Sequence, residues 1–496
     1  MDIKFESEEI RFLRPVVWEN QRQEQTQEIR LTDDLPDAGR VLGCWGQCLL
    51  RSKEWRSGGM AVSGGVMTWT LYAPEDGSEP RCVENWVPFQ IKWNFPATET
   101  DGLMSICCGL HSADARVVSA RKLMLRVSVN ALGIGTCGEE AAVFVPGEVP
   151  EDVQLLRRTY PVMLPVEAGE KNVLLDEELD LPGNGQDRKL LRCLMTPRIQ
   201  EQRIVGDRLV FRGSGKLHLL LMDEGKLRSE ILDVPFSAFT DLEREYDEGG
   251  SAQIDLAVTA MEAELTEEGK LRLKSGLAAQ YILWNRHVLD IVEDAWSHRR
   301  DIRLREQILL LPALLEYRTE NCVAMGKTHQ NMTAVDGMCW PGCASGQMED
   351  GRMMLTVPAA AQLLGREENG AFQGTNAQVE GHIMLEQEEG NLVYASAVES
   401  GPVQVSSNGT ETEIRCELSV AIRTLSGQGI TMVTGMELGE TRPADPERPC
   451  VILRRNGGES LWDMAKASGS TVDAIREANG LTGEPEKGRI LLLPVQ

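Results

Sequence analysis

The landmarks of this chain recur three times at a spacing of about 145 residues, which restricts it to folds that can be duplicated in tandem. A stretch of alternating apolar residues, Met67, Trp69 and Leu71, runs into Asp76-Gly77. Leu217, Leu219 and Leu221 run likewise into Glu224-Gly225, and Ala359, Ala361 and Leu363 into Asn369-Gly370. The three turn glycines stand 148 and 145 residues apart. Period-two alternation ending at such a pair predicts a β-hairpin, because glycine accepts the positive φ of the turn. Ile10-Arg11-Phe12-Leu13-Arg14 returns as Val153-Gln154-Leu155-Leu156-Arg157 and as Ile302-Arg303-Leu304-Arg305. Val87-Pro88-Phe89 returns as Val234-Pro235-Phe236, and Cys44-Trp45 as Cys193-Leu194 and Cys339-Trp340. Four markers sharing one period predict three tandem units, over 1–148, 149–299 and 300–439.

Each unit reads as short Val- and Leu-rich strands between Gly, Asp and Asn turns, so the expected fold is mainly β, with all-β sandwich- or barrel-like repeats. Between Leu277 and Val292 a helix is an alternative, since Tyr281, Trp284, Val288 and Ile291 fall at helical spacing. Tyr281-Ile282-Leu283-Trp284 would serve a strand equally well. The third copy lacks the Val-Pro-Phe landmark and is rich in Gly and Met, which predicts a smaller core or looser loops.

Residues 440–449 carry three prolines and five charges and read as an exposed linker. Beyond it, 450–496 has a strand–helix–helix–strand pattern. Val451-Ile452-Leu453 is strand-like and Asn456-Gly457-Gly458 turns the chain. Ser460 with Asp463 makes a capping box before Leu461, Trp462 and Ala465, and Gly469 stops the helix. Thr471 starts a second helix with Val472, Ile475 and Ala478 inward, Asn479-Gly480 ends it, and Arg489 to Pro494 closes as a strand.

These residues resemble a LysM domain, a small α+β (βααβ) module. Its Gly-Asp-Thr-Leu-Trp signature stands here as Gly458-Glu459-Ser460-Leu461-Trp462, with Asn479 and Leu493-Pro494 at two further family positions. The resemblance implies a groove for N-acetylglucosamine, or for a protein partner, formed by Gly458, Glu459, Ser460 and Leu461 facing Asn479, Gly480 and Leu481. Backbone amides would bond the acetamido group while Leu461 and Leu481 cover its apolar face; Leu461 reads equally well as core. Trp462 reads as core. Glu459 and Ser460 replace the usual Asp-Thr.

The repeats, with their strand–Asp-Gly turn and following Val-Pro-Phe, are similar to SPOCS domains. Three of them before one LysM domain is the layout of SipL-like spore-coat morphogenetic proteins. That resemblance implies a non-enzymatic scaffold, made in the mother-cell cytoplasm and deposited at the forespore surface, with coat proteins, the coat-basement ATPase among them, as partners. Peptidoglycan is the further partner it implies. Met1-Asp2-Ile3-Lys4-Phe5-Glu6 offers neither a basic nor an apolar region, so no Sec-type signal is expected. No apolar run approaches the ~18 residues a membrane span needs.

The formal charge of −25 argues against nucleic acid and anionic membrane surfaces as partners. Residues 450–496 are balanced, with six basic and six acidic side chains, so the excess lies in the first 449 residues. Acidic clusters at Asp176-Glu177-Glu178 and from Glu386 to Glu389 read as solvated faces.

Enzyme and cofactor motifs fail in context. Gly133-Ile134-Gly135-Thr136-Cys137-Gly138 matches a dinucleotide loop, but the strand-like Val143-Phe144-Val145 and Pro146 follow it instead of a helix. Gly213-Ser214-Gly215-Lys216 lacks the Ser/Thr and the earlier glycine of a phosphate loop. Cys44/Cys48 and Cys339/Cys343 would sit ~13 Å apart along a strand, too far to share a metal, and read as buried thiols. No cofactor or metal is expected. Two other readings stand beside the scaffold: a peptidoglycan-binding cell-wall protein, and a LysM-bearing component of a phage-tail-like assembly.

Overall fold

A computed structural model describes all residues except 1, 183–187, 247–248, 330–331, 368–369, 387–389, 408–410, 442–448 and 496, and except the side chains of 397–399 and 407. Asn369, most of the second acidic cluster (387–389) and most of the expected linker therefore lie outside the described residues. The chain is mainly β, in several small antiparallel sheets. Among the described residues no helix is long and apolar enough to cross a membrane.

The first stretch holds β1 (Asp2–Ile3), β2 (Phe5–Arg30), β3 (Ala38–Arg56), β4 (Gly59–Pro74), β5 (Arg81–Asn94), β6 (Leu103–Ser119) and β7 (Lys122–Pro146). It forms two sheets, ordered β2–β7–β6 and β3–β4–β5. The second stretch holds β8 (Val153–Leu179), β9 (Lys189–Val205), β10 (Arg208–Asp223), β11 (Lys226–Asp241), β12 (Ser251–Leu265) and β13 (Leu271–Ser297). Its sheets are β8–β13–β12 and β9–β10–β11. In both stretches the long first strand pairs with the last, and the three middle strands form a separate sheet.

The third stretch follows the same pairing with interruptions, except that its middle strands join the outer ones in one eight-stranded sheet. It comprises β14 (Ile302–Leu310), β15 (Leu314–Thr328), β16 (Thr333–Pro341), β17 (Ser345–Glu349), β18 (Arg352–Arg366), β19 (Phe372–Leu385), β20 (Leu392–Ser400), β21 (Gln404–Ser407), β22 (Thr412–Leu425) and β23 (Gly429–Leu438). β14 pairs with β23, and β15 with β22, which also carries β20 and β21. β16 and β17 pair with β18, and β18 with β19. The breaks fall at Pro312, at Gly342 after Pro341, and at Gly401-Pro402. Proline cannot donate to a ladder and glycine weakens one, which accounts for the splitting.

The expected turns are hairpins. Glu224 and Gly225, at φ 48° and 73°, join β10 to β11 as a two-residue turn closed by Asp223 opposite Lys226. Gly77 and Gly370 hold positive φ at the corresponding connections. Val87 and Phe89 are buried on β5, and Val234 and Phe236 on β11. Pro88 and Pro235 between them sit on strands paired on one side, where a missing N–H is tolerated.

No helix forms between Leu277 and Val292; the segment lies within β13. Residues 275–284 of that strand are buried without alternation, because one face packs in its own sandwich and the other against neighbouring strands. A strand buried on both faces loses its period-two signal and imitates helical spacing.

The three stretches contact one another cyclically. β5 lies beside β9, β11 beside β16, and β19 beside β3. The Gln280 carboxamide on β13 bonds both backbone groups of Ile106 on β6, at 2.8 and 2.7 Å. Arg423 on β22 bonds Gln253 on β12 at 2.8 Å, and Trp18 on β2 stacks on Tyr394 of β20 with centroids 4.2 Å apart. β1 pairs with β23, so the ends of the β region meet. Head-to-tail contacts that return to the start make a closed ring. Its centre is a core shared by all three stretches, including Trp45, Leu71, Leu194, Leu220, Met338 and Leu364.

Candidate functional site

The C-terminal segment forms β24 (Val451–Arg455), α1 (Leu461–Ser468), α2 (Val472–Asn479) and β25 (Ile490–Pro494), with β24 antiparallel to β25. Ser460 caps α1 in a complete capping box with Asp463, and Gly469 ends it at φ 70°. Thr471 caps α2 and Gly480 ends it at φ 61°. These caps satisfy backbone groups that such short helices would otherwise leave unpaired.

The segment is seated on the β body. Trp296 of β13 and Leu156 of β8 join Leu461, Trp462, Met464 and Ile475 in one apolar cluster. Asp294 accepts the Trp462 indole N–H at 2.8 Å and pairs with Lys466 at 2.7 Å. Trp462 is buried, as read from the sequence, but part of what covers it belongs to the body.

The expected groove residues fall into two classes. Gly458 and Glu459 are exposed. Glu459 pairs with Arg454 at 2.7 Å, and the Gly458 N–H donates to Asn456 Oδ1 at 2.7 Å. Ser460 is half-buried, its hydroxyl committed to Asp463. Gly480 is exposed, and Leu481 packs partly against the cluster.

Leu461 is fully buried, so its side chain cannot cover the face of a sugar; it contributes to the core, where burying a leucine is worth about 2 kcal/mol. Only its N–H reaches the loop side, donating to Glu484 Oε2 at 2.8 Å. Asn479 is also structural. Its amide donates to the Ile475 and Leu492 carbonyls at 2.8 and 2.7 Å, and its Oδ1 accepts the Leu492 N–H at 2.8 Å. That carboxamide ties the end of α2 to the closing strand.

Asn456 reads from the sequence only as the head of a turn; its clamping role, and Glu484 altogether, escaped the sequence reading. The buried Asn456 side chain donates to the Pro485 carbonyl at 2.8 Å, and its backbone carbonyl accepts the Gly488 N–H at 2.7 Å. It thereby clamps the loop after β24 to the loop before β25. The Asn-Gly-Gly string was the available signal, since Asn at the head of a turn bonds the amide two residues on. Nothing local to Glu484 marks it as the partner of a helix start 23 residues away.

What remains for a ligand is a rim of exposed backbone at Gly457, Gly458 and Glu459, with Gly480, Thr482 and Gly483 on the second loop. Such a rim offers amides, carbonyls and one Glu–Arg pair, the means of adsorbing a polar chain. The glycine-rich motif at Gly133 and the Gly213-Ser214-Gly215-Lys216 run both lie inside strands, β7 and β10, where they cradle no phosphate. Cys44, Cys193 and Cys339 are buried at matching places on β3, β9 and β16; Cys48 is buried too, whereas Cys343 is half-buried. Comparison with protein-family models, curated proteins and solved structures gave no match to the chain.

Proposed function

We propose that this chain is a non-enzymatic scaffold of spore-coat assembly, in which three copies of one SPOCS-like β unit carry a LysM-like module that docks to a coat protein or to peptidoglycan. The observation that carries the reading is the mounting of the C-terminal segment. Asp294 and Trp296 hold α1 against the β body, while 457–459 and Gly480, Thr482 and Gly483 stay exposed. A binding rim fixed to a rigid support loses little freedom on docking, so more of its contact energy appears as affinity. The threefold recurrence of strand pairing supports the duplicated unit, and the closed ring supports a structural role.

A fluorescent fusion of the full chain, imaged in sporulating cells, tests the reading. A ring or cap around the forespore is expected; diffuse signal, or signal along the vegetative wall, would overturn it. Co-sedimentation of the purified chain with peptidoglycan sacculi, beside capture by purified coat-basement ATPase, then separates glycan from protein as the occupant. Glu459→Lys, which reverses the charge on the rim without touching the core, should weaken whichever interaction is used.

A further inference from the structure

Among the described residues, no three His, Cys, Asp or Glu side chains gather as a metal site. Methionine thioethers do gather beside a histidine, on the solvent face of β18 and β19. The register puts Met354 opposite Met384, Thr356 opposite His382 and Pro358 opposite Glu380, three successive rungs of one face. Leu355, Val357, Ile383 and Leu385 between them point the other way, into the core. Side chains directly opposite in such a pair stand about 4.5–5.5 Å apart at Cβ, and diagonal ones about 7–8 Å. Three rotatable bonds let each methionine swing its sulfur across that gap. Met384 is 52% exposed, the His382 side chain 51%, and Met354 is half-buried, so the group is open to solvent.

The histidine is held as a metal ligand is held. Its Nε2 lies 3.2 Å from Glu380 Oε1, and its Nδ1 lies 3.4 Å from Thr356 Oγ1 on β18. In the neutral ring, an Nε2–H donated to Glu380 leaves the lone pair on Nδ1, the nitrogen that faces the strand bearing Met354. A carboxylate behind an imidazole in this way fixes the tautomer and orientation of metal-binding histidines. The contact to Thr356 is at the long limit of a hydrogen bond, so a better partner for Nδ1 displaces it at little cost. Arg352 and Glu386, at the next rung beyond Met354, neutralise one another at 3.8 Å, so the Glu380 carboxylate sets the sign of the patch and favours a cation. Two thioethers and one imidazole select a soft ion, whereas Mg²⁺ and Ca²⁺ prefer carboxylate, carbonyl and water oxygens.

We infer that the sulfurs of Met354 and Met384 and the Nδ1 of His382 form a three-coordinate site for Cu(I), with Glu380 as the residue that positions the imidazole. The same sheet carries an internal control. Met348 and Met353 are also cross-strand partners, on the opposite face, and the rungs beside them hold no histidine.

The test titrates Ag(I), the redox-silent counterpart of Cu(I), and then Cu(I) itself without oxygen, into the full chain labelled at its methionine methyls with carbon-13. Accessible thiols are first alkylated with iodoacetamide, because they would otherwise compete for a soft ion. The Met354 and Met384 methyl signals should shift together and saturate at one equivalent, ahead of those of Met348 and Met353. Met384→Leu, which conserves volume, and His382→Gln should each lower affinity about tenfold or more, the factor equivalent to 1.4 kcal/mol. Glu380→Ala should lower it about tenfold, with Glu380→Gln, whose carbonyl still accepts the Nε2–H, falling between that variant and wild type. All three substituted side chains are exposed, so the fold survives the changes and the affinities remain comparable. Three results would overturn the inference: no shift of the Met354 and Met384 methyls, an equal response from Met348 and Met353, or Zn(II) bound as tightly as Ag(I) and unaffected by Met384→Leu.

Discussion

Removing the Asp336 carboxylate should open the ring between its second and third stretches. Arg192 on β9 is fully buried and bonds Asp336 on β16 twice, at 2.6 and 3.2 Å; Ser229 donates to the same carboxylate at 2.7 Å. The guanidinium also lies 4.8 Å from the Trp45 ring of the first stretch, so this pair sits where all three stretches meet. Asp336→Ala strands a buried cation, which costs about 3–5 kcal/mol, roughly a hundred- to several-thousand-fold in the folding equilibrium. Arg192 Nε is already buried without a partner, so the pair carries a desolvation cost even when intact. The double variant Arg192→Met/Asp336→Leu should therefore recover most of the loss, since a packed apolar pair can equal or exceed a buried ion pair. Urea unfolding followed by tryptophan emission would report both variants. The pH dependence has a definite sign. Burial alone would push the Asp336 carboxyl up, but the charge and hydrogen bonds of Arg192 outweigh it and hold the pKa below 3.8. A depressed folded pKa gives stability that is present above the unfolded value and lost as pH falls through the folded one. The gap between wild type and Asp336→Ala should thus be full at pH 7 and shrink below about pH 4. A cost under about 1 kcal/mol for Asp336→Ala, or a double variant worse than the single, would refute the argument.

The remaining predictions concern the module, the seam and the thiols. Leu461→Ala should destabilise the C-terminal module by about 2–5 kcal/mol, seen as faster amide exchange across both helices, while Glu459→Ala leaves exchange unchanged. Gly374→Val should loosen the seam between the third and first stretches, because a Cβ there would collide with the Leu42 carbonyl oxygen; a thermal midpoint equal to wild type would contradict that close approach. Burial raises the Cys44, Cys48 and Cys193 thiols to about 12, leaving about one thiolate in ten thousand at pH 8. Iodoacetamide should accordingly modify exposed Cys450 in the native chain and reach those three only after denaturation, as peptide mass spectrometry would show.

Sequence alone determined the local devices. The positive-φ glycines at 77, 225 and 370, the Ser460–Asp463 box, and the glycines that end both C-terminal helices were legible because each is fixed by residues within a few positions. The alternation of Leu217, Leu219 and Leu221 marked the face that enters the sandwich core. Tertiary structure decided the rest. Leu220 and Met222, on the opposite face of the same strand, are buried only because neighbouring stretches close over them. The same closure buried both faces of 275–284 and erased the pattern that would have named a strand. In the candidate site, the exposed Gly458 and Glu459 were readable from a motif. The sequence left Leu461 open between groove and core, and its burial decided for the core; the commitment of Asn479 to Leu492 was not legible, since it depends on a partner on another strand. Period and turn chemistry are short-range and written in the chain, whereas which second face meets a neighbour is fixed only when three ribbons close into a ring.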